Sequence, residues 1–176
     1  MSDEVIYDIG NRYIKLFGKI EEDNSREIIH SMQEMEIDED RDPIDFYISC
    51  LGGCGVEIMS VRDIMKNIKC DVNTIGLGKC YSGGSLLLMS GTGERNAYKN
   101  TMILIHSLRT GLYYDSIREQ ESRWEHLQDL DDLVKDIMYE EMNVDSREKI
   151  DNLIERDNYM RVEEAKELGI IDEIIE

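Results

Sequence analysis

The chain has 176 residues, 41% of them apolar, and a formal net charge of −19 from 39 acidic and 20 basic residues. That length suits one domain with a substantial core, and the charge argues against partners bound through phosphate neutralisation or anionic membrane surfaces, so neither nucleic acid nor membrane is expected. No apolar run reaches membrane-spanning length, and Met1-Ser2-Asp3-Glu4-Val5 lacks the basic region and apolar stretch of a signal peptide, which reads as a cytoplasmic protein.

In chain order, Tyr13 to Gly18 reads as a strand ending at glycine. Asn24 to Met35 reads as a helix, with Ile28, Ile29, Met32 and Met35 at helical spacing and Asn24 or Ser25 able to cap it. Asp38 to Pro43 is a charged turn. Ile44 to Ser49 is a strand, and Gly52-Gly53-Cys54-Gly55 a glycine-rich turn. Val56 to Ile68 is a helix whose inner face is formed by Ile58, Met59, Val61, Ile64, Met65 and Ile68. Val72 to Leu77 is a strand leading into Gly78-Lys79-Cys80-Tyr81-Ser82-Gly83-Gly84-Ser85. A helix from Ser82 to Met89 stops near Gly91-Thr92-Gly93. Ala97-Tyr98 is a short strand or turn, and Thr101 to His106 a buried strand.

Ser116 to Met142 is a long charged helix with an apolar stripe from Trp124 to Met142. The stripe packs on its own core, but a helix this long outreaches so small a domain, so part of it is expected to meet a second subunit. Ser146 to Glu155 and Val162 to Leu168 are further helices, and Ile170 to Ile175 is a final strand. The alternation of strand and helix predicts an α/β fold with mostly parallel strands. In such sheets ligand sites gather at the carboxyl ends of strands, so Ser82 and Gly52-Gly53 should share one edge.

The four cysteines, Cys50, Cys54, Cys70 and Cys80, lack paired zinc-site spacing, and a chain this rich in core has no need of disulfides. They read as buried free thiols, and no metal is expected. Ser82 opens a helix, where free backbone N–H groups and the dipole favour developing negative charge; small residues also line such junctions for packing alone. A serine nucleophile needs a base. His30 and His126 sit on charged helices and read as solvated, whereas His106 ends an apolar strand and is either a hydrogen-bonded structural histidine or a base at the sheet edge. Asp157 lies in a break between helices, as a polar loop residue or cap or as the carboxylate that orients the base. Gly53 and Gly83 are either steric glycines or donors to an oxyanion. The Gly52-Gly53-Cys54-Gly55 turn lacks the Gly-Lys-Ser/Thr ending of a phosphate loop.

Four blocks in order carry a resemblance: Phe46 to Gly53, Gly78 to Gly84, Met102 to His106, and Glu155-Arg156-Asp157-Asn158-Tyr159-Met160 followed by Gly169-Ile170-Ile171-Asp172. From about Tyr13 to the C-terminus the chain resembles the ClpP family, the serine peptidase subunits of ATP-dependent Clp proteases. The resemblance implies one peptidase domain over residues 1–176, folded as a crotonase-like spiral of β-β-α units with a long handle helix in a region of about 107–142. It implies Ser82 as nucleophile, His106 as general base and Asp157 as its orienter, with the Gly53 and Gly83 amides as oxyanion hole. Cys54, Leu108 and Arg109 beside these blocks are candidates for contacting substrate. It further implies two stacked seven-membered rings, a tetradecamer enclosing the active sites, fed with unfolded proteins by an AAA+ unfoldase of the ClpX or ClpA type. The subunit itself needs no cofactor, ATP being used by the unfoldase.

Departures from the family pattern accompany the match. Leu51 replaces a proline before Gly52-Gly53, Gly83 replaces a methionine, and Cys80-Tyr81 replaces small residues, so that Tyr81 is expected to tighten or reshape the pocket. Residues Ser107 to Tyr113 lack the family's proline and paired glycines. The N-terminal segment that gates the pore and docks the unfoldase is shorter than usual, consistent with a divergent or phage-encoded member. Competing readings are a phage head-maturation protease, a non-catalytic ring subunit beside an active paralogue, and a crotonase-like acyl-CoA enzyme.

Overall fold

A computed structural model describes residues 3–37, 42–109 and 117–176. Strand β1 (Glu4–Asp8) and strand β2 (Tyr13–Ile20) form an antiparallel hairpin, followed by helix α1 (Glu22–Ile37). Strand β3 (Ile44–Gly53), helix α2 (Gly55–Asn67), strand β4 (Val72–Tyr81) and helix α3 (Gly83–Met89) come next. Strands β5 (Arg95–Tyr98) and β6 (Met102–Ile105) precede the long helix α4 (Ile117–Glu141). Helix α5 (Arg147–Ile154), strand β7 (Asn158–Arg161), helix α6 (Val162–Glu167) and strand β8 (Glu173–Ile175) complete the described chain.

The eight strands form one sheet in the order β1-β2-β3-β4-β5-β8, with β6 pairing to both β4 and β7. Five of its pairings are parallel, as the alternation predicted, and β1·β2 and β6·β7 are antiparallel. Two of these strands have no counterpart in the sequence reading. Strand β1 is mostly exposed, so it carries little apolar pattern. Strand β7 occupies the break between helices assigned to a polar loop, and of its four residues only Met160 is buried. Strands β3 and β4 also run past their apolar stretches through Cys50–Gly53 and Gly78–Tyr81, where the glycines suggested turns. The charged turn and the start of the long helix, residues 38–41 and 110–116, lie outside the described residues.

Helix α1 starts two residues before the expected cap. Asn24 sits inside its first turn, where Oδ1 accepts from the Glu21 N–H at 2.8 Å and Nδ2 donates to the Lys19 carbonyl at 2.6 Å. This is the back-reaching half of a capping box. Ile28, Met32 and Met35 bury the inner face against α2 and the sheet. Helix α3 is buried at every position and lies on β3 and β4. The stripe on α4 divides: Val134, Ile137 and Met138 are buried in the core, whereas Trp124 stays 62% exposed. Cys50, Cys70 and Cys80 are buried free thiols as expected, but Cys54 is exposed because it caps α2 at the end of the turn. Among the described residues, no helix is long and apolar enough to cross a membrane.

Arg95 clasps the C-terminal region onto the sheet. Its Nε and Nη2 donate to the two carboxylate oxygens of Asp172 at 3.1 and 2.5 Å, and Nη1 donates to the carbonyls of Gly169 at 2.8 Å and Glu141 at 3.0 Å. Charge-assisted bonds of this kind are among the stronger ones, and removing the donor orphans part-buried acceptors. Arg95→Ala is expected to cost about 2–3 kcal/mol, lowering the midpoint of thermal unfolding by about 5–10 °C. Burial pushes the Asp172 carboxyl up, but the hydrogen bonds and charge of Arg95 outweigh it and leave its pKa lowered. A depressed carboxylate pKa gives stability that is present above the unfolded-state value and lost as pH falls through the folded-state value. The gap between wild type and Arg95→Ala should therefore be full at neutral pH and narrow below about pH 4.

Candidate active site

The ends of three adjoining strands bring the sequence-selected residues together. Strand β4 runs parallel to β6 with Tyr81 opposite Leu104, and the next residue, Ser82, donates its N–H to the Leu104 carbonyl at 2.8 Å. Strand β6 runs antiparallel to β7 with Ile105 opposite Asn158. His106 follows and Asp157 precedes that last pair, and just beyond them the Ser107 N–H donates to the Ile154 carbonyl at 3.2 Å.

Ser82 has φ 55° and ψ −121°, a conformation that side chains rarely adopt, at the junction of β4 and α3. Strain of this size costs about 1–3 kcal/mol and persists only where neighbours over-determine it. Ser85 is one such neighbour: its buried hydroxyl lies 2.6 Å from the Ser82 carbonyl and 3.0 Å from the Leu104 carbonyl, bridging the turn to β6. Sequence reasoning passed over Ser85; a serine three residues into a helix that is otherwise buried and apolar is the signal that marks it.

The β3 terminus closes on the same turn. Gly52, at φ +90°, lies so near that a Cβ there would sit 2.8 Å from Ser82 Cβ and 3.1 Å from its Oγ. Gly53, at φ +155°, leaves no room either, since a Cβ would fall 2.0 Å from the Ile20 carbonyl oxygen. The N–H of Gly83 lies in the first turn of α3, where backbone donors have no partner within the helix.

Ser82, His106, Gly53 and Gly83 line one cavity of about 250 Å³ whose walls include Leu51, Ile58, Leu86 and Met138. Leu108 and Arg109 line it too, but Cys54 does not, although Gly53 and Gly55 on either side of it do. Asp157 lies in a neighbouring depression. Among the described residues no hydrogen bond or ion pair joins Ser82 to His106 or His106 to Asp157. His106 Nδ1 instead lies 2.5 Å from the Ser107 carbonyl oxygen. A carbonyl only accepts, so a hydrogen bond here puts a proton on Nδ1, and in the neutral ring that tautomer leaves the lone pair on Nε2. Asp157 Oδ1 accepts from Arg109 Nη2 in an ion pair.

Residues 3–176 match the family model for Clp protease. The chain belongs to the Clp protease family. A relative, the ATP-dependent Clp protease proteolytic subunit 1 of Thermobifida fusca (strain YX), is 33% identical over 175 residues, covering 94% of this chain and 78% of its own length. The mixed α/β sheet with its long helix α4 is the architecture that the resemblance implied, and membership of the Clp family makes the chain a peptidase of the ClpP kind.

The departures from the Clp pattern now have physical settings. A Cβ on Gly83 would lie 1.9 Å from Ile58 Cδ1 and 2.8 Å from its Cγ1, so the Ile58 side chain occupies the space that a side chain at 83 would take. Gly83→Ala is expected to destabilise by about 1–3 kcal/mol through overpacking. The double variant with Ile58→Ala should be more stable than the sum of the single changes, a coupling that thermal unfolding of the four proteins measures. Tyr81 does not line the cavity, contrary to expectation; its ring stacks edge-on against Tyr159 with centroids 5.6 Å apart. Both residues stand opposite Leu104, on β4 and β7, so the strand pairing turns Tyr81 towards its neighbour and away from the cavity. Cys80 is buried, its Sγ donates to the Ile48 carbonyl at 3.2 Å, and burial pushes its thiol pKa far up, so it offers no thiolate beside Ser82. His30 and His126 are exposed on their helices, as read from the sequence.

Proposed function

We propose that the chain is a serine endopeptidase that cuts unfolded polypeptides through an acyl-enzyme. The observation that carries this reading is the strand register, which sets Ser82, His106 and Asp157 at adjoining ends of β4, β6 and β7, with Ser82 and His106 on one cavity. His106 Nε2 takes the Ser82 hydroxyl proton as Oγ attacks the peptide carbonyl. The N–H groups of Gly53 and Gly83 stabilise the oxyanion, His106 returns the proton to the leaving amine, and water then releases the acyl group by the same steps. Asp157 orients His106 and stabilises the imidazolium that forms. The apolar walls at Leu51, Ile58 and Leu86 favour an apolar substrate side chain beside the scissile bond. No cofactor is required in this subunit.

The proposed setting is a stacked pair of seven-membered rings enclosing the sites, supplied by an AAA+ unfoldase. The relative's name, an ATP-dependent Clp protease subunit, supports it, as does Trp124, exposed at the outer half of α4 where a second copy could cover it. Purified protein is expected to assemble by native mass measurement and to hydrolyse an unfolded polypeptide. Ser82→Ala should assemble equally and turn over at background rate; undiminished turnover by that variant would sink the proposal.

A further inference from the structure

Asp157 and His106 adjoin the last pair of β6 and β7, yet the Asp157 carboxylate is engaged by Arg109 and not by the imidazole. Arg109 lies three residues beyond His106 on the segment leaving β6, and both line the cavity. Its guanidinium reaches Asp157 Oδ1, while His106 Nδ1–H is held by the Ser107 carbonyl. The two groups that adjoining backbone positions would pair are thus each satisfied by a neighbour on the same segment. We propose, resting on the peptidase reading above, that Arg109 is a positioning residue acting through Asp157, a latch that holds the carboxylate off His106 until the 107–109 segment shifts.

The latch is soft. The Arg109 side chain is 66% exposed and that of Asp157 34%, so water competes for both charges. An exposed pair of this kind shifts an equilibrium by no more than about fivefold. Arg109 therefore sets the fraction of subunits with Asp157 on His106, and leaves the chemistry of the paired state unchanged. The same segment is tied to α4, since the Leu108 N–H donates to Asp131 Oδ1 at 3.0 Å.

The test is steady-state peptide hydrolysis by the full-length assembled protein. Arg109→Gln is expected to raise kcat by about two- to fivefold with KM unchanged. Arg109→Lys, which keeps the cation, should stay closer to the wild type. In an Asp157→Asn background the effect of Arg109→Gln should vanish, because the latch has nothing left to hold. Ser82-dependent turnover that Arg109→Gln leaves unchanged or lowers, or raises equally in the Asp157→Asn background, would overturn the latch and leave the peptidase reading standing. Absence of Ser82-dependent turnover in both the wild type and Arg109→Gln would overturn the peptidase reading and the latch with it.

Discussion

His106→Ala is expected to lower kcat for peptide hydrolysis by about 10⁴-fold or more while changing KM little. The hydroxyl of Ser82 is a poor nucleophile until its proton is taken, and among the described residues His106 is the only histidine that lines the cavity. In the neutral ring a bond from Nδ1–H to the Ser107 carbonyl leaves Nε2 as the nitrogen available to Ser82. Among the described residues neither Cys80, buried with its thiol pushed far from ionisation, nor His30 and His126, exposed on helices elsewhere, offers a second base. In the proposed mechanism His106 handles the reacting proton and adds little to the cavity's apolar walls, so the loss should fall on kcat. A fluorogenic peptide assay measures it. A drop of less than tenfold would mean that another group takes the proton.

Gly53→Ala should damage stability and activity together. The residue sits at φ +155°, and a Cβ would fall 2.0 Å from the Ile20 oxygen, 2.7 Å from the Ile20 nitrogen and 2.8 Å from the Ile20 carbon, all backbone. No side chain can swing aside to relieve this clash, unlike that at Gly83. The β2·β3 ladder would have to open at the pair Ile20–Gly53, beside the bond that the Cys54 N–H donates to the Ile20 carbonyl at 2.9 Å. A cost of about 3–5 kcal/mol is expected, about 10 °C in the unfolding midpoint of a chain this size. Whatever protein remains folded should also be slow, because the Gly53 N–H would leave the position that the proposed mechanism gives it at the oxyanion. Calorimetry and peptide hydrolysis on the same sample separate the two effects. An alanine variant with wild-type midpoint and rate would contradict the close approach of β2 and β3.

The strand–helix order was readable because it rests on local pattern, whereas the four site blocks were readable only through their resemblance to a known family. Val72 to Leu77 and Thr101 to His106 are apolar runs, and Ile58, Val61 and Met65 recur at helical spacing. What stayed hidden depends on partners far away in the chain. Strand β7 has four residues and one buried side chain, too few to show a period, and it exists as a strand because β6 pairs with it. That Asp157 and His106 adjoin the last pair of β6 and β7 follows from that pairing and from nothing local. The fit of Ile58 into the space beside Gly83 joins two helices, so the glycine looked like a bare departure from the family pattern. Arg109 read as a substrate contact because it follows the His106 block, and its partner Asp157 lies 48 residues further on. Tyr81 read as a pocket residue for the same reason, although β7 supplies the ring it stacks on.

In the proposed mechanism Ser82 is the nucleophile. Reaction of the assembled protein with a fluorophosphonate, followed by peptide mass mapping, tests it most directly, since the reagent bonds only to an activated hydroxyl beside a working base. The account predicts a single adduct on the peptide that contains Ser82, absent from Ser82→Ala and slowed severely in His106→Ala. An adduct on another residue, or one that survives Ser82→Ala, would contradict it.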